Sequence, residues 1–199
     1  MKRSKKTLML AAALVLLLAG AGFLYNSLSQ GRAPGLPPAE DSASSSQEDS
    51  PIPAPSFPLE DPEGNVLDLS DLMGDRPVVL NFWASTCPPC KEEMPDFQAA
   101  FEQYGQEIQF VMVNVGDAMQ GETREKAEDF LAETGYTFPV YYDIDYQGIL
   151  TYGVTGFPHT YFIDGQGDLQ LYAPGKISAQ GLQQGLHSIR PDLVPAPEF

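Results

Sequence analysis

An α/β fold, a central mixed sheet flanked by helices, is predicted by three features of this 199-residue chain. Apolar runs rich in β-formers alternate with helix-compatible runs from Val78 to Tyr152, a pattern that builds a sheet covered on both faces. Two further strand-like runs, Thr160 to Ile163 and Leu169 to Tyr172, flank Asp164-Gly165-Gln166-Gly167-Asp168, which is hairpin chemistry. The only two cysteines, Cys87 and Cys90, fall where the first long strand gives way to a helix.

Residues 1–29 read as a cytoplasmic basic flank and a membrane anchor. Lys2, Arg3, Lys5 and Lys6 precede eighteen apolar residues, Leu8 to Tyr25. As a helix that run spans roughly 27 Å, close to a bilayer core. The basic flank stays in the cytoplasm, so the rest of the chain is expected on the extracytoplasmic side of the cell membrane, held by one pass. Ala19-Gly20-Ala21 offers a small-x-small site, so a cleaved signal segment is the competing reading. Residues 30–55 are rich in Ser, Pro, Ala, Glu and Asp, too polar to fold alone, and read as a disordered tether. A folded domain is expected over 56–190, and 191–199 read as a loose tail.

Charge supports this division. Residues 1–32 carry +5, residues 33–50 carry −4 and residues 51–199 carry −17. So acidic a domain is poorly suited to nucleic acid or anionic lipid surfaces, and solubility accounts for the excess.

Within the domain, Phe57, Leu59, Val66, Leu67 and Leu69 flank Asp61-Pro62-Glu63-Gly64-Asn65, a turn that predicts an added N-terminal β-hairpin. Ser70 to Met73 suits one helical turn. Val78 to Trp83 is a continuous apolar strand of the kind buried on both faces. The next helix has Met94, Phe97, Ala100 and Phe101 on one side, with Pro95 expected to kink it. Ile108 to Val115 is a second central strand. Gly121 to Thr134 is helical, with Ala127, Phe130 and Leu131 on one side and Gly135 as its stop. Phe138 to Tyr142 is a third strand, Tyr146 to Tyr152 a short helix, and Ser178 caps a last helix reaching Ile189.

The cysteine pair carries the chemistry. A cysteine at a helix N-terminus meets unsatisfied N–H groups and the positive end of the helix dipole, which favour thiolate, the reactive form. Cys87 is therefore read as an exposed nucleophile, and Cys90, one turn deeper, as its resolving partner. A static staple is a poor alternative, because so short a loop constrains the unfolded chain little. A structural zinc site needs four ligands, and His159 and His187 lie far along the chain, so no metal is expected. Pro158, in Gly156-Phe157-Pro158-His159-Thr160, is on local sequence alone as much a trans proline opening an edge strand as a cis proline in a tight turn.

FWASTCPPCKEEMP, with Pro95 five residues after Cys90, and GFPHTYFID together resemble the thioredoxin superfamily over about Ser56 to Ile189. The N-terminal anchor, the leading hairpin and a central insertion near 116–145 resemble its membrane-anchored TlpA/ResA branch. The resemblance implies a thioredoxin-like sheet, a cis Pro158 facing the cysteines, and Phe157 as a docking residue whose backbone pairs with substrate. It implies thiol–disulfide exchange with no cofactor beyond the Cys87–Cys90 disulfide. It also implies protein disulfide substrates such as apocytochrome c, and a membrane electron donor for re-reduction. Trp83 is placed with the substrate-binding residues, packed beneath the active turn.

Two departures matter. Thr86 stands where thioredoxin has tryptophan. Asn81 stands where thioredoxin has a buried aspartate, and it cannot accept a proton. Glu93, three residues after Cys90 on the same helical side, is the expected substitute, since ResA-like proteins carry a glutamate at this spacing. The bland reading of Glu93 is a solvated glutamate that complements the helix dipole, as Glu92 does. Pro88 and Pro89 remove two N–H groups from the helix start, leaving the Cys87 thiolate less stabilised and the couple less oxidising, while Lys91 pulls the other way. His159 reads as an ordinary neighbour. Two rivals remain: a peroxiredoxin-like peroxidase, whose P-x-x-x-T-x-x-C the residues before Cys87 do not match, and a surface binding module with a structural disulfide.

Overall fold

The computed structural model describes residues 51–198. The expected anchor over 1–29 and most of the tether over 30–55 lie outside the described residues. Among those described, no helix is long and apolar enough to cross a membrane.

The chain opens with the expected hairpin, β1 (Pro58–Glu60) and β2 (Val66–Asp68), then α1 (Leu69–Met73). Its turn is held by Asp61, whose carboxylate accepts from the Asn65 backbone N–H at 2.8 Å and side-chain amide at 2.9 Å. Next come β3 (Val78–Trp83), α2 (Pro88–Tyr104) and β4 (Gln109–Asn114). A 3-10 turn over Gly116–Ala118 leads to α3 (Arg124–Thr134). The rest is β5 (Val140–Asp143), α4 (Gln147–Thr151), β6 (His159–Ile163), β7 (Leu169–Pro174) and α5 (Ala179–Ile189). Thr123 and Ser178 cap α3 and α5 by accepting from backbone N–H groups, and Gly135 ends α3 in the left-handed conformation. The helix α2 runs as one α-helix through Pro95.

The seven strands form one mixed sheet in the order β2-β1-β5-β4-β3-β6-β7. β3, β4 and β5 are parallel neighbours, while β1 and β6 pair antiparallel to β5 and β3. Every residue of β3 is buried, as a run apolar at every position but Asn81 requires at the middle of a sheet. Two successive crossovers in one direction, β3 to β4 and β4 to β5, put their helices on one face, given right-handed connections. Asn81 reaches Glu93 on α2, and Trp83 packs against Phe130 on α3 with ring centroids 6.0 Å apart. The return crossover from β5 to β6 puts α4 on the other face, where Phe82 meets Tyr152 and Phe57.

Helix α5 packs on the α2 face, and Gly185 makes that possible. A Cβ added there would overlap the ring of Phe162 on β6, which is almost fully buried. Gly185→Ala is expected to cost about 1–3 kcal/mol through overpacking, read as a lower denaturant midpoint with an unchanged slope.

Both domain ends differ from expectation. The packed region begins before residue 56: Pro53 bridges to Asp168, Leu169 donates to the Ile52 carbonyl at 2.8 Å, and Ala54 is buried. Backbone pairing fixes this stretch despite its polar, proline-rich setting. The tail over 191–198 is not loose. Val194 is fully buried, and its carbonyl lies 2.7 Å from His187 Nδ1. Gln183 and Gln180 donate to the carbonyls of Pro195 and Glu198. Val194, Pro197 and the half-buried Leu193, with side chains from α5, hold the segment down.

Candidate active site

Strand β3 delivers the chain to the cysteines. After Trp83 the backbone turns, with Cys87 N–H donating to the Ala84 carbonyl at 3.2 Å, and α2 starts at Pro88. Prolines suit the first helical positions, where N–H groups have no intrahelical acceptor. Cys87 is the N-cap: its sulfur accepts from Cys90 N–H at 3.3 Å. The two cysteines are joined as a disulfide with Cα atoms 5.3 Å apart.

The structure corrects the expectation that Cys87 is exposed. It is 2% exposed and Cys90 is fully buried. The bond to a buried partner draws the Cys87 sulfur down into the turn, while Pro88 stays exposed and Thr86 and Pro89 are half-buried. Trp83 also departs from expectation. It is fully buried, so it supports the turn from beneath and presents no surface for a substrate.

Register places the second motif beside the first. Phe82 on β3 pairs with His159 on β6, so the next step along each strand sets Trp83 opposite Pro158. The Phe157–Pro158 bond is cis, as the resemblance implies. Pro158 is buried and its carbonyl accepts from Gly175 at 2.9 Å. Phe157 is half-buried against the core, and Gly156 beside it is exposed. His159 is 8% exposed, its ring tiled beside those of Tyr161 and Tyr172 at 5.0 and 6.0 Å, and burial holds its pKa below the ordinary value.

Glu93 is not the solvated helix-start acid of the bland reading. It is fully buried on the face of α2 that meets the sheet. One carboxylate oxygen accepts from Asn81 Nδ2 at 3.0 Å, and the other from Ile177 N–H, just past β7, at 2.9 Å. Burial pushes its pKa up to about 7, against the pull of the Ile177 and Asn81 donors and the Lys176 charge. Asn81 also donates to Thr160 Oγ1 at 2.9 Å, linking β3, β6 and α2 through one amide. Glu92, by contrast, is exposed and paired with Lys176.

One residue escaped the sequence reading. Glu122, in the turn before α3, is 2% exposed and reaches the cysteine turn. One of its oxygens accepts from Ser85 N–H at 2.9 Å and Asn114 Nδ2 at 2.8 Å. The other accepts from Ser85 Oγ at 2.9 Å and Thr86 N–H at 2.8 Å. Burial alone would raise its pKa, but the Asn114, Ser85 and Thr86 donors outweigh it and hold the carboxyl below its ordinary range. Nothing in the Gly121-Glu122-Thr123 turn distinguishes it from an ordinary surface acid.

Unspent polar atoms concentrate at this end. Among the described residues, the buried side-chain atoms without a hydrogen-bond partner are Asn81 Oδ1, Trp83 Nε1, Thr86 Oγ1 and His159 Nε2, all beside the cysteine turn or the cis-proline. Such groups are costly in a core and collect where function requires them. No cluster of three potential metal ligands occurs among the described residues.

Known proteins resemble this chain in sequence and fold. Residues 52–172 match the model of the AhpC/TSA family. The thiol-disulfide oxidoreductase ResA of Bacillus subtilis (strain 168) is 30% identical over 193 residues, covering 96% of this chain and 97% of that protein. ResA of Geobacillus thermodenitrificans (strain NG80-2) is 35% identical over 69% of this chain and 76% of its own. Among solved structures, a thiol:disulfide interchange protein DsbE from Chlorobium tepidum superposes with a TM-score of 0.59 at 34% identity, covering 70% of this chain and 96% of that one. StoA from Bacillus subtilis superposes at 0.57 with 25% identity, covering 69% and 99%.

Proposed function

The chain belongs to the AhpC/TSA family, as a thiol-disulfide oxidoreductase with ResA relatives, and on that premise we propose that it reduces disulfides of exported proteins from the extracytoplasmic side of a membrane. The observation that carries the chemistry is the Cys87–Cys90 disulfide at the N-terminus of α2, reached from a strand whose last residue, Trp83, falls opposite cis-Pro158 by register.

In the reduced enzyme, Cys87 thiolate attacks one sulfur of a substrate disulfide. That S–S bond breaks, a substrate thiolate leaves, and a mixed disulfide forms. Cys90, deprotonated, then attacks Cys87 Sγ and expels the second substrate thiolate. Two electrons pass to the substrate, and the Cys87–Cys90 bond closes. Glu93 is the group suited to take the Cys90 proton, being buried beside it on the same helical side with a pKa near neutrality. Phe157 and the backbone before Pro158 would dock the substrate chain. The reaction needs no cofactor beyond the disulfide, and a membrane electron donor would restore the dithiol. The basic flank and apolar run over residues 1–29 favour an anchored domain, and apocytochrome c is among the candidate substrates.

The direction is tested by equilibrating the couple against glutathione or dithiothreitol buffers. A potential nearer the roughly −270 mV of thioredoxin than the roughly −120 mV of DsbA is expected. A strongly oxidising value would reverse the assignment, and one well below about −300 mV would mark a structural bridge. Peroxide should not be consumed at a rate above the protein-free control.

A further inference from the structure

We infer that Glu122 is a positioning residue that keeps the Cys87 thiolate poorly stabilised and so holds the couple on its reducing side. The inference rests on an account of every backbone N–H in the cysteine turn. Ser85 and Thr86 N–H groups donate to Glu122. Cys87 N–H donates to the Ala84 carbonyl. Pro88 and Pro89 have none. Lys91 N–H donates to the Cys87 carbonyl. Only Cys90 N–H points at the nucleophilic sulfur. A helix N-terminus ordinarily lends several donors to an anion. Here prolines delete two on one side of Cys87, and Glu122 engages two on the other.

The carboxylate also adds a buried negative charge beside the nucleophile, hydrogen-bonded to the residue next to it. A second anion nearby disfavours ionisation of a thiol. Among the described residues, the cations near this end are engaged elsewhere or face away: Lys126 donates to the Gly121 carbonyl. Lys176 is paired with Glu92, Lys91 is exposed on the outer side of α2, and burial disfavours a charged His159. Glu93, the remaining acid, faces Asn81 and Ile177 from within the helix and, when ionised, acts in the same direction as Glu122.

The experiment uses the reduced full chain and follows alkylation by iodoacetamide across pH, assigned to Cys87 by peptide mass spectrometry. Glu122→Gln removes the charge and frees the Thr86 N–H. It is expected to lower the Cys87 midpoint by about one unit, a tenfold gain in thiolate at a given pH, and to move the couple about 30 mV toward oxidising for each tenfold change in its equilibrium constant. Glu122→Asp keeps the charge and is expected to shift far less. Equal shifts in the two variants, or an unmoved midpoint in Glu122→Gln, would reduce Glu122 to a structural clamp and overturn the inference. If Glu122→Gln does not fold, Ser85→Ala decides. It removes one donor from a carboxylate that stays ionised, so the Cys87 midpoint should rise, and a fall or no change overturns the inference. This deepens the reductant reading without sharing its fate. A high wild-type potential would sink that reading, while the difference between variant and wild type measures this one.

Discussion

Cys87→Ser is expected to abolish disulfide reduction, a loss on the order of a thousandfold or more, while Cys90→Ser leaves the first step intact and stops at the mixed disulfide. The asymmetry follows from position. Cys87 is the N-cap of α2, 2% exposed beside the exposed Pro88, and Cys90 is fully buried one turn inside. Of the two, Cys87 is the one next to exposed surface, so it is the expected point of attack once the disulfide opens. Insulin reduction measures the loss, and non-reducing electrophoresis with mass spectrometry detects the trapped adduct. An adduct through residue 90 in Cys87→Ser, with none through residue 87 in Cys90→Ser, would reverse the assigned order of attack.

The second large effect belongs to Glu93. Its folded pKa of about 7 stands above an ordinary value of 4.5 because burial penalises the charged form. Between those values the native state holds a proton that the unfolded chain has lost. Stability from this group is therefore fully present below about pH 4.5 and is lost as pH rises through 7, by an amount on the order of 3 kcal/mol. Glu93→Gln cannot ionise and should flatten that part of the profile, making the variant relatively more stable above neutrality. Denaturant unfolding between pH 4 and 8 checks this. The same variant removes the anion one turn from Cys90 and should lower the Cys90 pKa by on the order of one unit. A profile that keeps its wild-type slope would show that Glu93 ionises as freely as a surface glutamate.

Much of the architecture was legible because the residues that set it act locally. Val78 to Trp83 is apolar but for Asn81, and it is the fully buried central strand. Asp61 to Asn65 names its own turn, and Ser178 and Gly135 punctuate their helices by capping. The cysteine pair was legible as chemistry because no other role suits so short a loop. What stayed hidden depends on contacts across the fold. The burial of Cys87 follows from a bond to a residue sealed under α2. The burial of Trp83 follows from the packing of Phe130 on α3. Glu122, 37 residues after Ser85 in the chain, becomes special only when β4 brings Asn114 beside the cysteine turn. The docking of residues 191–198 turns on Val194 and Pro197, with Leu193 half-buried, too little for a periodic signal.

The bridge from Pro53 to Asp168 fixes where the chain enters the domain. Asp168 lies in the β6–β7 hairpin, which caps the sheet at the pole antipodal to cis-Pro158, with the length of a central strand, roughly 20 Å, in between. Anything fastened upstream of Ile52 thus grips the domain by its back. The cysteine turn follows the far end of β3, a strand's length from that point of entry.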